Sequence, residues 1–178
     1  MVKNPVNNNE LYFGKHSEIP MNEEQKAYMK MAVDLSRSGM ESGKGGPFGC
    51  VIVKDGKVIG IGSNSVLETN DPTAHAEIVA IRDACRNLGH FQLDGCEVYT
   101  SCEPCPMCLG AIYWARPSKV FFANDKRDAA EAGFDDDFIY QELELPYEKR
   151  KIPFEQGMQD TAKEVFQEWI LKEDKTLY

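Results

Sequence analysis

The sequence predicts an α/β domain in which helices alternate with the strands of one sheet, and three observations carry that prediction. Segments of helical period and short β-branched or aromatic runs succeed one another along a chain of 178 residues, a length suited to one domain. Asp55-Gly56 between two apolar runs marks a hairpin. No internal repeat and no long linker divides the chain.

The elements follow in order. Residues 1–20 form a polar leader containing Asn7-Asn8-Asn9 and closing on Pro20, with no apolar period, expected to be disordered or draped over the surface. Residues 21–178 then make one domain. Asn22 caps a helix over residues 23–38, whose Ala27, Met31, Ala32 and Leu35 recur at helical spacing before Gly39. A glycine-rich loop, residues 43–46, precedes a buried strand at 50–53, and the hairpin returns through a strand at 57–62. That loop lacks the Gly-Lys-Ser/Thr ending of a phosphate loop and comes before a strand, so a tight turn bringing backbone close to a pocket is the better reading. Asp71-Pro72-Thr73 ends a polar loop, and residues 74–88 form a helix with Ile78, Ala80, Ile81 and Ala84 turned inward. A strand at 97–100, a helix at 106–115, a strand at 119–123, a short helix at 128–133 and a last helix at 161–172 complete the chain. The sheet is expected to be largely parallel after the hairpin.

Composition narrows the partners. The formal charge is −9, and acids cluster at Asp135-Asp136-Asp137 and residues 142–144. With no basic face in view, nucleic acid is not expected, and a small neutral substrate fits better. No apolar run of about 18 residues suggests a membrane span, and the polar N-terminus lacks the apolar core of a secretory signal, which points to the cytoplasm. Six cysteines in a reducing compartment read as metal ligands and buried thiols.

The chemistry concentrates in two motifs, Thr73-Ala74-His75-Ala76-Glu77 and Ser101-Cys102-Glu103-Pro104-Cys105-Pro106-Met107-Cys108. One imidazole and two thiolates give zinc three protein ligands, His75, Cys105 and Cys108, and leave a fourth position for water. Glu77 is a carboxylate placed to carry protons beside that position. Cys105 and Cys108 share one face of a helix start, where the dipole favours thiolates. Residues two apart on a regular helix point about 200° from each other. His75 and Glu77 therefore converge only if His75 stands at the very start of its helix. A closed cage with Cys102 as fourth ligand is compatible with the spacing, but it would leave Glu77 without a role. Cys102 is then a packing thiol, like Cys50, Cys85 and Cys96, while His16 and His90 read as surface histidines.

His-x-Glu followed by Pro-Cys-x-x-Cys is the signature of the zinc deaminases. From about Asn22 onward the chain resembles the cytidine deaminase superfamily, and most of all the short bacterial-type guanine deaminases. Gly45-Gly46-Pro47-Phe48-Gly49, Ala130-Glu131-Ala132-Gly133-Phe134-Asp135-Asp136 and an aromatic terminal residue carry the second resemblance. It implies a three-layer α-β-α fold around a central mixed sheet of about five strands and one zinc per chain. It also implies a small-molecule purine base as substrate, guanine, deaminated at C2 to xanthine and ammonia. Asn64 and Ala76 would contact the base, Phe48 and Trp114 would wall the ring, and Asp136 would assist binding or proton transfer, with Asp135 and Asp137 as competitors. Tyr178 would close the pocket at the end of a C-terminal arm, residues 145–178, exchanged in a homodimer. The plain alternatives are that Phe48 and Trp114 are core, that Asp136 is a solvated charge, and that Trp169 and Ile170 seal their own subunit. Deamination of another base or nucleoside (guanosine, cytosine, cytidine or transfer-RNA adenosine) is the near rival, and a non-catalytic zinc scaffold the far one.

Overall fold

A computed structural model of the chain describes residues 20–177. The expectations for the leader, for His16 and for Tyr178 lie outside the described residues. Asn22 caps helix α1 (Glu23–Glu41) by accepting from Gln25 N at 2.8 Å, while the Gln25 side chain accepts from Asn22 N at 3.0 Å. This reciprocal box satisfies two of the N–H groups that a helix start leaves open. Strands β1 (Gly49–Lys54) and β2 (Lys57–Ser63) form the expected hairpin. Its turn residues Asp55 (φ 50°) and Gly56 (φ 72°) are both left-handed, as a two-residue turn matching strand twist requires. A short helix, α2 (Val66–Thr69), follows, then α3 (Ala76–Leu88), β3 (Cys96–Cys102), α4 (Pro106–Ala115), β4 (Lys119–Asn124), α5 (Lys126–Glu131), α6 (Asp137–Glu144), a 3-10 turn at Tyr147–Lys149 and α7 (Gln159–Leu171).

The sheet runs β2-β1-β3-β4. It has four strands among the described residues, not about five, and β3 lies antiparallel to β1; the parallel pair is β3 with β4. The expectation of a largely parallel sheet failed because alternation of helix and strand does not say which edge a crossover strand joins. Alternate residues of the central strands serve opposite faces. Cys50, Ile52, Cys96 and Val98 pack with Ala76, Ala80 and Ala84 of α3, Leu93 and Ala115, while Val51, Val53, Tyr99 and Phe121 pack with Ala32 of α1. Helices thus cover both faces, and the three layers are real. α3 lies on β2 so closely that a Cβ at Gly62 would stand 2.2 Å from the Ala76 carbonyl oxygen. That contact fixes the start of α3, where the site begins.

α6 was hidden in the sequence by its acids. Asp135 accepts from Asp137 N at 3.0 Å, and Gln141 Nε2 donates to Asp137 at 3.0 Å, so these charges serve a helix start. Beyond it, every residue from 151 to 174 is exposed, including Ile152, Phe154, Val165, Phe166, Ile170 and Leu171. Within the single chain most of the arm's apolar surface stays exposed, while Trp169 lines a groove with Ile81, Phe91 and Trp114.

Candidate active site

Two helix starts meet at the site. His75 is the N-cap of α3 (φ −68°, ψ 156°) and Cys105 the N-cap of α4 (φ −62°, ψ 166°), both with extended backbone. Neither side chain caps its own helix, which leaves imidazole and thiol to turn toward each other. His75 stands where the divergence of residues two apart demanded. Cys108 lies one turn into α4, and His75 Nδ1 is 3.5 Å from both Cys105 Sγ and Cys108 Sγ.

The three donor atoms all lie within 4.8 Å of one another. Zinc–nitrogen and zinc–sulfur bonds of about 2.05 and 2.3 Å at a tetrahedral angle separate nitrogen from sulfur by roughly 3.6 Å. The spacing of His75 Nδ1 from both sulfurs agrees with this, so the donor set fits zinc in chemistry and in dimension. Cys102 stands apart: its thiol points to the Asp125 carbonyl at 3.7 Å, and no closed cage forms among the described residues.

Electrostatics divides the labour. Cys105 is pulled down to about 4, first by the hydrogen bond from Cys108 and then by His75, against the opposing effect of burial. Cys108 is pushed up by its hydrogen bond to Cys105 and by burial. The hydrogen bond with Cys105, against the opposing effect of burial, raises His75. Glu77 is 5 % exposed, accepting from Thr100 Oγ1 at 3.1 Å and from Cys108 Sγ at 3.4 Å. Burial pushes its carboxyl up, as a proton carrier working near neutrality needs.

Around this centre, Asn64 is 6 % exposed; its Oδ1 accepts from Val66 N at 3.3 Å, and its amide NH2 has no hydrogen-bond partner among the described residues. Ala76 is the first residue of α3, so its backbone N–H has no intrahelical partner. Phe48 meets Phe134 edge to face, with ring centroids 5.0 Å apart. Of the three aspartates, Asp135 and Asp137 are held by the start of α6, Asp137 also lying 3.6 Å from Lys126 Nζ. Asp136 is half-buried, and its carboxyl is raised by burial and by the charge of Cys105. Trp114 lies elsewhere in this chain. It sits roughly 13 Å along α4 from Cys105 and, 67 % exposed, lines a groove of about 800 Å³ with Ile81, Phe91, Ala111 and Trp169.

Sequence reasoning missed Thr100 and the ring partner Phe134. Thr100 had no local signal, because only the pairing of β3 beside β1 brings it under α3. Phe134 was noticed as part of a segment, and its contact with Phe48 needed the fold.

Residues 22–124 match the family model described as the cytidine and deoxycytidylate deaminase zinc-binding region. Over 144 residues, 81 % of this chain and 92 % of the relative, the sequence is 59 % identical to the guanine deaminase of Bacillus subtilis. The X-ray structure of guanine deaminase from that organism superposes with a TM-score of 0.85 at 56 % identity, covering 89 % of this chain and 99 % of the other. A transfer-RNA-specific adenosine deaminase of Aquifex aeolicus is 36 % identical over 82 % of this chain and 93 % of its own length. A guanine deaminase structure from Nitrosomonas europaea aligns with a TM-score of 0.60 at 28 % identity, over 89 % and 90 % of the two chains.

Proposed function

We propose, from the premise that this chain belongs to the cytidine and deoxycytidylate deaminase zinc-binding family, that His75, Cys105 and Cys108 hold its one zinc ion while Glu77 moves the protons. The chain is a zinc-dependent guanine deaminase, converting guanine and water to xanthine and ammonia. The observation that carries the catalytic reading is the buried Glu77 carboxyl lying 3.4 Å from Cys108, one of the three clustered metal donors. When bound, zinc supplies Lewis acidity that makes water a nucleophile near neutral pH. Glu77 accepts a proton from the water whose oxygen bonds to C2, and passes it to the adjacent ring nitrogen. The second proton of that water, left on the hydroxyl now bonded to C2, passes by way of Glu77 to the amino nitrogen. The bond from C2 to that nitrogen breaks, ammonia departs and C2 keeps the oxygen as the carbonyl of xanthine, with Asp136, whose carboxyl feels the charge of Cys105, assisting the departure. Asn64 offers its amide NH2 to an acceptor on the purine edge, Ala76 its backbone N–H, and Phe48 a face for the ring.

Purified protein incubated with guanine, guanosine, adenine, cytosine, cytidine and an adenosine-bearing RNA stem-loop tests this through ammonia release. Guanine is expected to outpace all the others. Preference for cytidine or for the stem-loop would overturn the substrate while leaving the zinc chemistry standing.

The C-terminal arm joins this reading as a proposal of its own. Val165, Phe166 and Ile170 are between 62 % and 71 % exposed, an apolar stretch of α7 that water should not be left to cover. Exchange of an identical element between two chains buries such a face at low cost. It would also bring Trp114 and the final residues of the partner into one wall, with Tyr178 closing the pocket. Deleting residues 177–178 should leave a folded, zinc-loaded dimer whose guanine turnover drops on the order of tenfold to a hundredfold. Undiminished turnover would sink the lid, and a monomer at micromolar concentration in sedimentation would sink the exchange. Six free cysteines support a cytoplasmic location, where thiols stay reduced; among the described residues no helix is long and apolar enough to cross a membrane.

A further inference from the structure

We infer that Gly45 is a positioning residue for purine recognition, acting through Asn64; this rests on Asn64 being a base contact. A Cβ at position 45 would stand 2.0 Å from Asn64 Oδ1, 2.9 Å from its Cγ and 2.8 Å from its backbone oxygen. No real side chain tolerates such distances, so the carboxamide packs directly against bare backbone.

Neither partner can easily retreat. The glycine loop is laced to its surroundings: Leu67 N and Glu68 N donate to the Lys44 carbonyl at 3.0 and 3.1 Å, and Lys44 N donates to the Gly39 carbonyl at 3.1 Å. Asn64 is held from the other side, its N–H donating to the Phe48 carbonyl at 3.0 Å and its Oδ1 accepting from Val66 N. A methyl group at position 45 therefore turns the carboxamide away or pushes the strand end that carries it. The next residue repeats the device on the ring wall, since a Cβ at Gly46 would lie 3.0 Å from the Phe134 ring and 3.1 Å from Phe48. Two successive glycines thus bring backbone against both the group that reads the base edge and the rings that flank the base. The chemistry recognised is a flat heterocycle with an acceptor on the edge facing Asn64.

The test is a double-mutant cycle read as KM and kcat for guanine on zinc-loaded protein. Gly45→Ala is expected to raise KM about tenfold or more, with a smaller change in kcat and unchanged zinc content. Asn64→Ala should raise KM at least as far, and adding Gly45→Ala to it should cost little more, because the group that Gly45 positions is already gone. Lys57→Ala, at the exposed hairpin end of β2, should keep the wild-type KM. If Asn64→Ala leaves KM unchanged, the reading of Asn64 as a base contact fails. If Asn64→Ala raises KM while Gly45→Ala does not, or if the two effects multiply, Asn64 stands and the role of Gly45 is overturned. Should Gly45→Ala alone lose its fold, removing the carboxamide in the double variant should relieve the contacts to Oδ1 and Cγ and raise zinc content and melting temperature toward wild type, short of full recovery because the Asn64 backbone oxygen stays at 2.8 Å; no gain at all would also overturn it.

Discussion

Replacing Glu77 with glutamine is expected to lower guanine turnover by about 10²- to 10⁴-fold, the range that a positioned general acid–base group contributes. The substitution keeps the side chain's volume in a space where Glu77 is 5 % exposed, and an amide oxygen can still accept from Thr100 Oγ1 as the carboxylate does at 3.1 Å. What disappears is a group that can take a proton from water and return it to the ring. Burial has already raised that carboxyl toward the pH at which it works. The loss should therefore fall on kcat, with KM for guanine nearly unchanged. Zinc content and melting temperature should match the wild type, since the donors His75, Cys105 and Cys108 are untouched. A Glu77→Gln protein that turns over within a few-fold of wild type would mean that another group carries the proton.

Much of this site was legible before the fold, because its information is local. His75, Cys105 and Cys108 were readable as donors from residue type and spacing, and the need for His75 to cap its helix followed from helical geometry alone. α4 matched its expected bounds of residues 106–115 for a related reason: Pro106 at its first position and the cysteine spacing both mark the start. Where pairing partners decide the outcome, the sequence was mute. The antiparallel placement of β3 against β1, the four-strand count and the hydrogen bond from Thr100 to Glu77 depend on which strand lies next to which. Asp136 shows the intermediate case. Three successive aspartates were indistinguishable by type, and only the start of α6 occupies Asp135 and Asp137 and leaves Asp136 facing the charge of Cys105.

Removing the metal, by chelation or by Cys108→Ala, is expected to abolish deamination and to lower stability together. The donors come from two helix starts, α3 and α4, which bring His75 Nδ1 to 3.5 Å from two sulfurs. A metal that binds only this folded arrangement stabilises it by about 4 kcal/mol when free zinc exceeds Kd a thousandfold. For a domain of this size that is a fall in melting temperature of roughly 8–16 °C on chelation. Protons compete with the metal for the same sulfurs and imidazole, so zinc should be lost more readily as the pH is lowered. Re-adding zinc should restore both activity and melting temperature in the chelated wild type and neither in Cys108→Ala. In Glu77→Gln it should restore the melting temperature alone, which separates holding the metal from using it. A metal-free protein that still releases ammonia from guanine would refute the zinc mechanism. A melting temperature indifferent to chelation would show that α3 and α4 hold their positions without the metal.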